Sequence, residues 1–86
     1  MSQQHQIQEI DFEGDWMILS VDGQVYRILI AQVSKRLATA SDAERRMYRV
    51  SPSGYGIHWL AVDEDLSVNG LIQMAVETSN VYRTLG

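Results

Sequence analysis

Trp16-Met17-Ile18-Leu19-Ser20-Val21-Asp22-Gly23-Gln24-Val25-Tyr26-Arg27-Ile28-Leu29-Ile30 consists of two β-rich runs divided by Asp22-Gly23. Asp-Gly suits a two-residue hairpin loop, because both central residues of a type I′ turn take positive φ. With that loop in place, Val21 opposes Gln24, Leu19 opposes Tyr26 and Met17 opposes Ile28 on one face of the ribbon. This face is the expected core face. The opposite face carries Trp16, Ile18, Ser20, Val25, Arg27 and Leu29, a mixture that the chain's own helices or a partner would partly cover.

Working outward, Ile10 and Phe12 alternate with Asp11 and stop at Glu13-Gly14-Asp15, which reads as a strand and a turn. After the hairpin, Ile30, Val33 and Leu37 stand at i, i+3 and i+7, predicting a helix of about two turns. Ser41 and Glu44 have the spacing of a capping box, predicting a second short helical piece through Arg46. Tyr48 and Val50 alternate with Arg49, Ser51-Pro52-Ser53-Gly54 reads as a turn, and Ile57-His58-Trp59 returns as a strand. Ser67 can cap a helix whose apolar stripe is Val68, Leu71, Ile72, Ala75 and Val76. The expected fold is α+β: a small antiparallel sheet of two hairpins plus an N-terminal strand, with a short helical segment and a C-terminal amphipathic helix packed on one face.

The 86 residues are enough for one core, so the expectation is a single domain over 1–86, with 1–6 and 80–86 as candidates for disorder. A domain of this size has a stability on the order of 5 kcal/mol. No cysteine is present, which excludes disulfide frameworks, thiolate nucleophiles and cysteine-held metals. No apolar run is long enough to span a membrane and the polar N-terminus is unlike a secretory signal, so cytoplasmic residence is expected. The net charge of −4 opposes non-specific binding to phosphate backbones. The charge is unevenly spread. All but one of the basic residues fall between Arg27 and Arg49, while Glu9, Asp11, Glu13, Asp15, Asp63, Glu64 and Asp65 mark the flanks.

The most distinctive stretch is Gly54-Tyr55-Gly56-Ile57-His58-Trp59, followed closely by Asp63-Glu64-Asp65. His58, Asp63 and Asp65 are conceivable ligands for a divalent cation. The set falls short of usual cysteine-free sites, which bring two histidines at defined spacing, and the acids equally suit the start of a helix. No serine or histidine is spaced as a nucleophile and its base, and the glycines lack the setting of a phosphate loop, so no catalytic residue and no cofactor are expected. Lys35, Arg36, Arg45, Arg46 and Arg49 form a basic segment around Tyr48 that could meet nucleic acid. The aromatic residues Tyr55, Trp59 and Tyr82 fit a protein interface or core filling.

The residues from Gly54 to Trp59, with Asp63-Glu64-Asp65-Leu66-Ser67-Val68-Asn69-Gly70-Leu71, resemble the bacterial family catalogued as domain of unknown function 2442. The likeness extends through the Asp22-Gly23 hairpin, roughly from Trp16 to Val76. It departs at Leu60, where that family often has proline after the tryptophan. The resemblance implies a small α+β domain with no activity to transfer, often encoded beside another small domain in arrangements like toxin–antitoxin pairs. It therefore implies a non-catalytic interaction module with a small partner protein, for which Tyr55, His58, Trp59, Asp63 and Asp65 are the candidate binding residues. A nucleic-acid-binding regulator is the alternative, a metal-dependent enzyme comes third, and a homodimer is compatible with either binding role.

Overall fold

The structure, a computed structural model, describes residues 5–75. Strands β1 (Ile7–Glu13), β2 (Trp16–Val21) and β3 (Gln24–Leu29) are followed by three single-turn helices, α1 (Ile30–Val33), α2 (Lys35–Ala38) and α3 (Asp42–Arg45). Strands β4 (Tyr48–Val50), β5 (Gly56–Trp59) and β6 (Glu64–Ser67) come next. A final helix, α4, begins at 68 and is described to 75. The strands form two antiparallel sheets in sequential order, β1-β2-β3 and β4-β5-β6.

The first hairpin has the expected register, with Val21 opposite Gln24, Leu19 opposite Tyr26 and Met17 opposite Ile28. Asp22 (φ 52°) and Gly23 (φ 82°) form its loop. Met17, Leu19, Val21 and Ile28 are buried, each worth about 1.5–3 kcal/mol of transfer free energy. Strand β1 joins β2 through a second two-residue loop, Gly14–Asp15, with Glu13 opposite Trp16. From the second sheet Ile57 and Trp59, and from α4 Val68, Leu71 and Ala75, enter the same core, with Ile72 half-buried against it. The apolar stripe of α4 therefore packs inward as its spacing predicts. Val76, the residues 80–86 and the aromatic candidate Tyr82 lie outside the described residues.

Three features differ from the expectation. The single two-turn helix is split at Ser34, whose backbone is extended (φ −161°, ψ 115°) and whose Oγ accepts the Leu37 N–H at 3.1 Å to cap α2. The second hairpin gains a third strand, because Glu64–Ser67 pairs with β5, placing Asp65 in a strand one residue after Glu64 and two before the helix cap. Residues 5 and 6 of the N-terminal segment are also tied down. The His5 N–H donates to Ser53 O at 3.1 Å, and the Gln6 N–H donates to Asp22 Oδ1 at 2.8 Å. The capping box matches the expectation, with Glu44 N–H to Ser41 Oγ at 3.2 Å and Ser41 N–H to Glu44 Oε1 at 2.9 Å.

Candidate functional site: the outer face of the second sheet

Side chains alternate across a strand, so burial of Ile57 and Trp59 turns Gly56 and His58 outward. The register then sets Arg49 opposite His58 and His58 opposite Asp65, a row across three strands. His58 Nδ1 and Asp65 Oδ1 are 2.8 Å apart. Beside this row, at the Gly56 end of the sheet, lies an open and mainly apolar groove of about 420 Å³. Arg49, Pro52, Tyr55, Gly56, His58 and Asp65 are among the residues that line it. At the other end of the sheet, Leu60 N–H donates to Met47 O at 3.0 Å, extending the ladder by one step. Met47 and Leu60 are each 50% exposed and Tyr55 is 59% exposed, so three large apolar residues edge this one sheet.

One residue of the groove's lining has a physical peculiarity. Gly56 opens β5, and its φ is not positive. A Cβ placed there would meet only Leu66 O, at an ordinary 3.4 Å. The fold therefore does not require glycine at this position. The nearby hydroxyls are committed to backbone geometry. Ser51 Oγ accepts the N–H groups of Tyr55 (2.9 Å) and Gly56 (3.1 Å), and Ser67 Oγ accepts the Gly70 N–H (2.9 Å) at the start of α4.

Of the residues singled out from the sequence, Tyr55, His58 and Asp65 meet at the groove. Asp63 does not join them; it occupies a turn with φ 52°, and its carbonyl accepts from Arg36 Nη1 at 2.7 Å. Among the described residues no three His, Asp or Glu side chains are placed to hold a metal ion. Trp59 points the other way. It is fully buried, its indole N–H donates to Arg45 O at 3.0 Å, and its ring lies 6.2 Å from that of Tyr48. Trp59 is thus a core residue in this fold, because it is one position from the outward-facing His58.

The basic segment is also divided. Arg45 is buried and donates to Leu37 O (3.0 Å), Gly14 O (2.9 Å) and Ala38 O (3.2 Å), with its guanidinium 5.7 Å over the Phe12 ring. It closes helix carbonyls and a turn, and offers nothing to a phosphate. Lys35 and Arg46 are exposed, while Arg49 belongs to the groove. Placing Arg49 at the site needed the pairing with His58, which spacing along one strand does not reveal. No helix among the described residues is long and apolar enough to cross a membrane.

A second polar cluster gathers around His5. Its Nδ1 lies 2.8 Å from Asp22 Oδ2, and its Nε2 lies 2.7 Å from Asn69 Oδ1 at the start of α4. The hydrogen bond to Asp22, then that to Asn69, raises the His5 pKa above its ordinary 6.5. In turn the His5 bond, aided by the Gln6 N–H, lowers the Asp22 pKa below 3.8. The cluster links the first hairpin's turn to the last helix.

Residues 7–77 match the model of the family described as "Protein of unknown function (DUF2442)". No curated protein and no solved structure matches the chain.

Proposed function

The chain belongs to the DUF2442 family, and from that premise we propose that it is a non-catalytic interaction module that docks a small partner protein on the outer face of β4-β5-β6. The observation that carries this reading is the groove beside Gly56: an apolar hollow that is open among the described residues, at a strand glycine that the backbone does not need. Glycine in a strand often marks a bulge, a bend or the close approach of another molecule or backbone, and close approach is the meaning that an adjoining apolar groove favours. The composition of this face points the same way. Tyrosine, methionine and arginine are the residues enriched at protein interfaces, and Tyr55, Met47 and Arg49 all lie here. The two serines lining the groove are held as backbone acceptors, which argues for binding over chemistry. An antitoxin-like role, with the partner encoded beside this chain, rests on the family resemblance alone.

The test is co-expression of the full chain with the tagged product of the adjacent gene. Wild type should co-purify with it, whereas Tyr55→Ala, Arg49→Ala and Gly56→Val should each lose at least tenfold in capture, as hot-spot residues do, with unchanged circular dichroism. Trp59→Ala is unsuitable because it empties the core. Absence of any complex, or capture indifferent to all three substitutions, removes the proposal.

A further inference from the structure

Asp65 is engaged by His58, and Ser51 and Ser67 are engaged by backbone N–H groups. Arg49 is therefore the one charged side chain lining the groove that has no hydrogen bond or ion pair among the described residues. A guanidinium beside an apolar hollow keeps its five donors available in a planar fork that matches a carboxylate. Low polarity around the hollow strengthens such a contact relative to open water. Asp65, on the opposite strand from Arg49 across His58, disfavours a guest with many negative charges. A strand of phosphates would bring several, while a single carboxylate reaching the β4 side would not meet it.

We propose that the groove takes an internal acidic–apolar segment of a partner protein, a large apolar side chain seated over Gly56 and a neighbouring Asp or Glu carboxylate on Arg49. This rests on the docking reading above and adds the chemistry of the guest. The volume of about 420 Å³ holds one or two large side chains, so the contact is a short segment and not a whole domain face. Tyr55, more than half exposed at the rim, supplies a rigid aromatic wall with little conformational freedom to lose.

The experiment is amide NMR titration of the full, isotope-labelled chain with four probes. These are N-acetylated and C-amidated Leu-Glu-Leu-Glu, the same blocked peptide with Gln for Glu, the Gln peptide with a free C-terminus, and a single-stranded RNA hexanucleotide. The blocked Glu peptide should shift the signals of Arg49, Tyr55, Gly56 and His58 saturably. It should bind about tenfold more tightly than the blocked Gln peptide, the worth of one charge-assisted hydrogen bond. Arg49→Gln should erase that tenfold preference, and Gly56→Val should abolish binding of both blocked peptides; Gly56→Ala provides a milder block should the valine variant fold poorly.

Equal binding of the two blocked peptides at the groove, abolished by Gly56→Val, overturns the acidic specificity while leaving the docking reading standing. Preference for the free C-terminus assigns the site to a chain end and overturns the internal segment. Tight binding of the hexanucleotide alone, or shifts confined to the first sheet, also overturns the proposal. Co-purification with the adjacent gene product is scored separately, so failure there is distinguished from failure here.

Discussion

Gly54 and Gly56 are two residues apart, yet the fold uses them in opposite ways. Gly54 has φ +70° and lies against the His5 carbonyl so closely that no Cβ could fit. Gly56 has an ordinary strand backbone and room for a side chain. Gly54→Ala should therefore lose about 2 kcal/mol or more in urea unfolding, from left-handed strain plus the steric conflict, while Gly56→Ala should stay within about 1 kcal/mol of wild type. Equal losses would contradict the distinction. His5, the neighbour of Gly54, carries the pH dependence. Its pKa is raised in the folded protein, so its contribution is complete below about 6.5 and fades as pH rises through the raised value. The lowered pKa of Asp22 adds a contribution present above about 3.8 that disappears as pH falls through the lowered value. The difference in unfolding free energy between wild type and His5→Gln should thus be larger at pH 5.5 than at pH 8.5. A pH-independent difference would show that the His5 bonds to Asp22 and Asn69 contribute nothing through charge.

At the scale of elements, Ser34 and Arg45 explain how three isolated single turns persist, since none is long enough to be stable alone. Ser34 caps α2 and donates its hydroxyl proton to Glu64 Oε2 at 2.6 Å, tying the helical stretch to β6. Ser34→Ala should lose about 1 to 2 kcal/mol, the range of a lost N-cap. A double-mutant cycle with Glu64→Gln should be non-additive, and strict additivity would show the link is inert. Arg45 secures three carbonyls, of which Leu37 O also accepts the Ala40 N–H, so Arg45→Met should cost about 2 kcal/mol or more by taking the donor from Gly14 O and Ala38 O. Both roles were invisible to periodicity. Ile30, Val33 and Leu37 do face one way, but their spacing cannot register that Ser34 breaks the helix between them. By sequence Arg45 belongs to the basic segment available to nucleic acid, because the carbonyls it serves come from Gly14, Leu37 and Ala38, which only the fold assembles. The first hairpin was legible because turn chemistry and alternation agree within fifteen consecutive residues. Strand β6 was not legible, because Glu64-Asp65-Leu66-Ser67 is short and polar and becomes a strand only by pairing with β5.

For the molecule as a whole, size sets what a partner can do. A chain of 86 residues buries a modest fraction of its surface, and each of the two three-stranded sheets has an outer face. The candidate site lies on one of these faces, and reading it from sequence needed two steps. Alternation places Gly56 and His58 together, whereas Arg49 and Asp65 join them only through the registers of β4 and β6. A lean domain responds strongly to anything that binds only its folded state. At a partner concentration of about 100 times Kd the stabilisation is about 2.7 kcal/mol, which for a domain of this length raises Tm by roughly 10 to 20 °C. The partner purified with the wild-type chain should produce that rise when mixed with it at low salt. Gly56→Val, folded and melting within a few degrees of wild type by itself, should show almost none, because the valine occupies the volume the guest needs. A variant that keeps the full rise would place the partner somewhere other than the groove, since no smaller change to the fold tests that volume so directly.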